Sequence, residues 1–470
     1  MSAFDTTIRL IYLAAAACFV LGLHLMNSPV SARRGNLLSA AGMVVAVAAT
    51  FAVLVHAGSV RVVAWLVLAA GALVGAGAGL VAARRVPMTA MPQLVSLFNA
   101  VGGGAAALVA IHDVVRDGGT ADMSAQVSVP ITLDVVIGAV TFSGSLIASG
   151  KLQGVVASRP VVFPAARLIN LGLGLAMATA SGFLVAGSGG VALLAVLGLT
   201  ALAFGVTMVM PIGGADMPVV ISLLNAFTGT AVAMAGFVVG NTVLITAGAL
   251  VGASGGILTK LMADAMNRSL ANIIVGGFGT GDDAAPAAVG GGGQVRALSP
   301  DDAAIQLAYA SKVVVVPGYG LAAAQAQHEL RSLAEVLEAR GVDVSYAIHP
   351  VAGRMPGHMN VLLAEANVPY AQLKEMDEAN PEFAQTDVAL VVGANDVTNP
   401  AARRPGTAIS GMPILDVDQA KNIIVIKRSM GHGYAGIDNE LYTDPKTGMY
   451  FADAKKALTD MTAAVKVLVG

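Results

Sequence analysis

Nine stretches of roughly twenty apolar residues fill the first part of this chain. They run approximately over 8–26, 37–55, 62–83, 91–112, 129–149, 168–187, 190–209, 217–239 and 242–263. A helix of that length crosses the roughly 30 Å hydrocarbon core of a bilayer. Inside that core every backbone polar group must be satisfied within the segment, so the pattern predicts an all-α membrane bundle. Only 12% of residues are charged, about half the share usual in a soluble protein. Arg33, Arg34, Arg84, Arg85, Lys151, Arg159, Arg167, Lys260 and Arg268 fall between spans on one side, and Arg9, Arg61 and Arg116 on the other. The excess of positive charge marks the cytoplasmic side. The N-terminus is therefore expected outside and everything after the ninth span in the cytoplasm. The first run lacks a basic leader and continues into further spans, so no cleavable signal is expected.

Within the bundle, one segment is written twice. Met217-Pro-Val-Val-Ile-Ser-Leu-Leu-Asn225-Ala-Phe-Thr-Gly229 repeats Met91-Pro-Gln-Leu-Val-Ser-Leu-Phe-Asn99-Ala-Val-Gly-Gly103 in its Met-Pro, Ser-Leu, Asn-Ala and final Gly. A carboxamide in hydrocarbon requires a neighbouring helix or a water chain. Asn99 and Asn225 are thus either packing residues bonded across helices or members of a polar path. Gly71, Gly75 and Gly79, and again Gly248, Gly252 and Gly256, form strips on which backbones can approach closely, and tight packing accounts for them. Asp134, inside the fifth span, and Asp216, at the mouth of the eighth, are the carboxylates nearest the membrane interior. No span carries an ion-filter sequence, and sparse polar side chains suit protons better than larger ions. The single cysteine, Cys18, excludes a disulfide framework and any multi-cysteine metal site. A net charge of -2 offers no basic face for nucleic acid.

Composition changes sharply toward the C-terminus. The first glutamate is Glu329, and acidic and basic residues are frequent from there on. Residues 1–265 read as a transmembrane domain, 266–294 as a flexible linker whose core, Gly276 to Gly293, is glycine-rich, and 295–470 as a soluble domain. In the last, Lys312-Val-Val-Val-Val-Pro leads into Gly318-Tyr319-Gly320-Leu-Ala-Ala323, with an amphipathic helix expected from Ala323 to about Arg340. This is the dinucleotide-binding turn: the first Gly bends, the second admits the pyrophosphate, and Ala323 lets helix pack on strand. Further strands are expected near 343–348, 387–392, 413–417, 422–427 and 448–451, giving a doubly wound, Rossmann-like parallel sheet of about six strands. The second strand ends in His349-Pro350, with no acid to hold a ribose 2′-hydroxyl. Lys427-Arg428-Ser429, at a strand's C-terminal end, suits a dianionic phosphate, which favours NADP over NAD.

Gly213-Gly-Ala-Asp216-Met-Pro, Gly248-Ala-Leu-Val-Gly252, Ala265-Met-Asn-Arg268-Ser, Pro317-Gly-Tyr-Gly320, His349-Pro-Val-Ala-Gly-Arg354-Met-Pro-Gly-His-Met-Asn360, Gly393-Ala-Asn395-Asp396 and Lys427-Arg-Ser429 together make the chain resemble the β subunit of proton-translocating nicotinamide nucleotide transhydrogenase over nearly its whole length. The resemblance implies an enzyme subunit that binds NADP(H). An α subunit, in one or two chains, would carry NAD(H) and further membrane helices. The complex, expected as a dimer of such heteromers in a bacterial inner membrane, would couple hydride transfer to proton translocation. Gly318 and Gly320 would then approach the pyrophosphate, and Lys427, Arg428 and Ser429 the 2′-phosphate. Tyr319, Arg354, Gly393, Asn395, Asp396 and Tyr434 would lie in loops around the nucleotide, with Asp396 near the nicotinamide. Asn225 would match the polar site of the proton path, and Asp216 and Arg268 charges at its cytoplasmic end. Some members carry a histidine where this chain has Asn99, so the titrating group is expected on a partner. Hydride transfer needs the two nicotinamides in near contact, roughly 3–3.5 Å apart. One dinucleotide fold is visible here, so the second must come from another chain. A transporter or channel gated by a nucleotide-sensing domain is the alternative. A membrane-anchored NADP reductase would need a substrate domain or second redox centre, and neither is visible.

Overall fold

The computed structural model describes residues 3–26, 29–58, 60–121, 123–157, 161, 163–213, 216–266, 295–353, 357–405, 407, 409–431, 433 and 435–469. The expected linker core, Gly276 to Gly293, lies outside them. Among the described residues, nine helices are long and apolar enough to cross a membrane. They are α1 (Ala3–Leu25), α2 (Pro29–Ala57), α3 (Val62–Arg85), α4 (Met91–Arg116), α5 (Ala125–Gln153), α6 (Ala166–Val185), α7 (Val191–Val209), α8 (Met217–Val238) and α9 (Thr242–Ala265). Each contains or overlaps one of the nine apolar runs. Several extend past them, because polar residues such as Arg33 and Arg34 lie on helix ends that hydropathy alone does not claim.

Small residues decide which helices come close. A Cβ on Gly138 of α5 would lie 2.9 Å from Ala107 Cβ of α4, and one on Gly103 would lie 2.8 Å from Thr141 Cβ. Between α8 and α9 the same holds: a Cβ on Gly248 would lie 2.6 Å from the Gly229 carbonyl, and one on Gly252 2.9 Å from Thr230 Oγ1. The tight-packing reading therefore describes Gly248 and Gly252. The strip on α3 differs: among the described residues nothing lies within 4 Å of a Cβ at Gly71, Gly75 or Gly79, and α3 has no buried residue. Lys151, at the end of α5, is buried and donates from Nζ to the carbonyls of Met210 (2.5 Å) and Ile212 (2.8 Å). It thereby satisfies carbonyls left over where α7 ends.

The α/β part comprises α10 (Pro300–Ala308), β1 (Lys312–Pro317), α11 (Tyr319–Ala323), α12 (Gln327–Glu338), β2 (Asp343–Ile348), α13 (His358–Glu365), β3 (Leu373–Glu375), α14 (Met376–Phe383), β4 (Val388–Val392), β5 (Asn422–Lys427), β6 (Thr447–Phe451) and α15 (Ala454–Val469). The six strands form one sheet in the order β3-β2-β1-β4-β5-β6, and every pairing is parallel. Near-continuous apolar runs such as Val313–Val316 are required because both faces are covered. Val313, Val315, Leu390 and Ile424 pack under α10, α12, α13 and α15, while Val314, Val316, Val391 and Val425 pack with Phe383, Leu415, Val417 and Tyr442. The start of this part is sewn to its end. Met449 N–H donates to Arg296 O (2.8 Å), Leu298 N–H donates to Met449 O (2.9 Å), and α10 packs on α15.

Three expectations need correction. Residues 413–417 form no strand; Leu415 and Val417 instead bury themselves against the sheet from a loop. The sixth strand is β3, whose three residues, none of them buried, carry little apolar signal. The helix expected from Ala323 to Arg340 is also broken. α11 ends at Ala323, Gln325 takes a left-handed conformation (φ 50), and α12 begins at Gln327. Ala323 is exposed, so it does not pack helix on strand; the buried Leu321, Ala322 and Ala326 do so.

Candidate functional site

The strand order reverses direction between β1 and β4, the switch point at whose carboxyl edge open α/β sheets bind ligands. The loops that leave β1 and β4 interlock there. Gly318 N–H donates to Val392 O and Gly320 N–H to Gly393 O, each at 2.9 Å. A Cβ on Gly320 would lie 2.6 Å from Gly393 Cα, and Gly393 itself has φ +66. Both glycines of the turn are thus demanded by the crossing of two backbones, whatever else approaches them. Tyr319 lies beside this crossing, its ring 6.4 Å from that of the buried His358.

Asn395 and Asp396 follow the β4 loop and are held by the segment after β5. Asn439 Nδ2 donates to the carbonyl (3.0 Å) and Oδ1 (3.1 Å) of Asn395, and the Tyr442 hydroxyl donates to Asn395 Oδ1 (2.9 Å). Burial pushes the Tyr442 phenol well up, so it stays protonated and remains a donor. Asp396 Oδ2 accepts from Ala435 N–H (3.0 Å), and the Cα of Gly433 passes so close that a Cβ there would collide with the carboxylate. The loop after β5 therefore closes directly over Asp396. Lys427 lies half-buried between these groups, its Nζ 4.7 Å from the centre of the Tyr442 ring and donating to the Gly431 carbonyl. Burial lowers its ammonium, and the carboxylates of Asp396 and Asp438 oppose that shift. Arg428 and Ser429 are exposed; Arg428 forms no ion pair among the described residues, and Ser429 Oγ accepts from Gly431 N–H at 3.4 Å. A partly desolvated cation, a free guanidinium and a hydroxyl on one loop are donors that fit a phosphate dianion.

The structure thus brings Gly318, Tyr319, Gly320, Gly393, Asn395, Asp396, Lys427, Arg428 and Ser429 to the carboxyl edge of one sheet. Arg354, Tyr434 and Arg268 lie outside the described residues. At the end of β2, His349 is 1% exposed; its Nδ1 accepts from Val351 N–H (3.2 Å), so Nε2–H donates to Pro413 O (2.8 Å). Burial lowers this imidazole, which stays neutral and ties β2 to the 413 loop.

In the bundle, the repeated segments meet. Asn99, 4% exposed, donates from Nδ2 to Ile221 O of α8 (3.4 Å), and the Thr228 hydroxyl donates back to Asn99 O (3.3 Å). Asn99 is therefore bonded across helices. Asn225, one turn beyond Ile221, is half-buried. Asp216 is buried immediately before α8.

A family model described as NAD(P) transhydrogenase beta subunit matches residues 8–464. The chain belongs to that family. The NAD(P) transhydrogenase subunit beta of Rhodospirillum rubrum is 49% identical over 461 residues, covering 97% of this chain and 98% of the relative. The same-named protein of a designated strain of that species matches to the same extent. Family membership covers the bundle and the α/β part alike. Asn439 and Tyr442, which orient Asn395, were not singled out in the sequence. Their signal is an asparagine capping a short turn: Asn439 Oδ1 accepts from Leu441 N–H at 3.0 Å.

Proposed function

We propose that residues 295–470 form the NADP(H)-binding domain of a proton-translocating transhydrogenase, carried by a transmembrane domain, 1–265, and a linker, 266–294. Gly318, Tyr319, Gly320, Ala323, Gly393, Asn395 and Asp396 border the dinucleotide. Lys427, Arg428 and Ser429 take the 2′-phosphate, and Arg354 and Tyr434 complete the surround. A partner α subunit holds NAD(H), and the bound nucleotides supply hydride donor and acceptor. This chain orients one of them and keeps water off it through the loop over Asp396. Asn225 lines the proton path, with Asp216 and Arg268 at its cytoplasmic end. The assembly is a dimer of heteromers in the bacterial inner membrane, with the N-terminus outside.

The observation that carries this reading is the loop after β5. It presents one partly desolvated cation, one free guanidinium and a hydroxyl beside the switch point of the sheet, in a chain of this family. Vesicles holding the chain with its partner should reduce an NAD analogue with NADPH and move protons as they do so. Titration of the purified full chain should show NADP(H) bound far more tightly than NAD(H). Equal affinity for the two nucleotides would refute the cofactor assignment. Hydride transfer without proton movement would refute the coupling.

A further inference from the structure

Asp134, in the third turn of α5, is 0% exposed, and neither of its carboxyl oxygens has a hydrogen-bond partner among the described residues. His112 and Asp113 of α4 lie within about a turn of the level of Asp134, but His112 is exposed and neither bonds to it among the described residues; α8, whose Leu224 meets Gly144 of α5, has no ionisable side chain. α7 has no ionisable side chain, and α6 has only Arg167, in its first turn. α4 has His112, Asp113 and Arg116 in its last two turns, where Asp113 and Arg116 pair at 3.3 Å. Lys151 stands at the far end of α5, occupied by the carbonyls of Met210 and Ile212. A carboxyl tolerates such burial as the neutral acid, whereas the carboxylate needs water or a cation. Ionisable groups inside membrane bundles are rare, and those present commonly belong to proton relays.

Its position gives the group somewhere to send a proton. Asp134, Gly138, Thr141 and Ser145 recur at helical spacing and form one stripe on α5. Gly138 lies against Ala107 and Thr141 against Gly103 of α4, and the Ser145 carbonyl accepts from Ser96 Oγ at 2.8 Å. The stripe is therefore the α4–α5 seam. Asn99, between Ser96 and Gly103 on α4, continues it to α8. From Asp134 to Thr141 is two turns, roughly 10 Å at 1.5 Å per residue.

We propose that Asp134 is a proton-carrying group of the translocation path, on the outer side of the seam that leads to Asn99 and Asn225. The O–H bond of the acid breaks as its proton passes to a water admitted where the α4–α5 contact loosens during the cycle, and the carboxylate takes a proton back from the aqueous phase on its own side. No electrons move in either step. This rests on the proton-translocating reading above and supplies a titrating station within this chain, where Asn99 cannot titrate.

Asp134→Asn and Asp134→Glu would be compared with the unaltered chain, each assembled with its partner subunit in vesicles. Asn should lower proton pumping at least tenfold with NADP(H) affinity unchanged, and Glu should restore much of it. Infrared difference spectra between NADP+- and NADPH-loaded enzyme should contain a carboxylic-acid carbonyl band that disappears in Asp134→Asn. Wild-type pumping by Asp134→Asn would overturn the inference. If that variant does not fold, a wild-type difference spectrum with no carboxylic-acid band would overturn it equally. Failure of the unaltered enzyme to pump is a separate result, and would overturn the transhydrogenase reading instead.

Discussion

Two side chains at the carboxyl edge of the sheet hold opposite positions with respect to solvent, and each gives its own prediction. Arg428 is exposed and uncommitted, so its work is with a ligand. Arg428→Ala should weaken NADP(H) by about 1.5–3 kcal/mol, the worth of a hydrogen bond to a charged group, and leave NAD(H) affinity unchanged by calorimetry. His349 is committed to the fold. Its imidazole is lowered by burial, so below its unfolded value of about 6.5 the unfolded chain takes up a proton that the folded chain refuses. Stability from this group is complete above that pH and falls on acidification by up to about 1.4 kcal/mol per unit. Scanning calorimetry between pH 5 and 8 should show a smaller acid loss in His349→Asn. The missing acid at position 349 is legible in the sequence, but the reason a histidine stands there is not. That reason is Pro413, which is remote in sequence and joins His349 only once the loop folds over.

Elements announce themselves in sequence when their periodicity is long. The apolar runs and the Val-rich strands are legible because lipid around a span, or cover on both faces of a sheet, leaves little room for polar residues. β3 was invisible because three residues at a sheet edge need little apolar content, and 413–417 mimicked a strand because a covering loop also buries alternate residues. Glycine strips are ambiguous for the same kind of reason, since spacing shows an approach surface but not what approaches. The structure separates the two. Gly248→Leu should drive α9 off α8, costing about 1–3 kcal/mol or more as an overpacked contact, because the Gly229 carbonyl and Ala233 lie against it. Gly75→Leu should leave the melting temperature of the chain purified in detergent unchanged, because no described residue lies within 4 Å of a Cβ there. Equal losses in the two variants would show that the strip on α3 is packed after all.

At the scale of the whole molecule the family assignment predicts coupling. Asp216→Asn should leave NADP(H) binding intact while hydride transfer and proton movement in vesicles fall together. Normal pumping by the correctly inserted variant would remove Asp216 from the path. The bond between Met449 and the stretch Arg296–Leu298 has a consequence for how such a protein is made. Translation delivers the apolar helices before the α/β part, and they can enter the bilayer as they emerge. β1 then waits for β4 to gain its second neighbour, and Arg296–Leu298 waits for β6, which leaves the ribosome after the other five strands. Domains usually close as units when their last element arrives. A message cut before codon 447 would thus leave a finished set of helices in the membrane joined to an open, exposed sheet, marked for proteolysis.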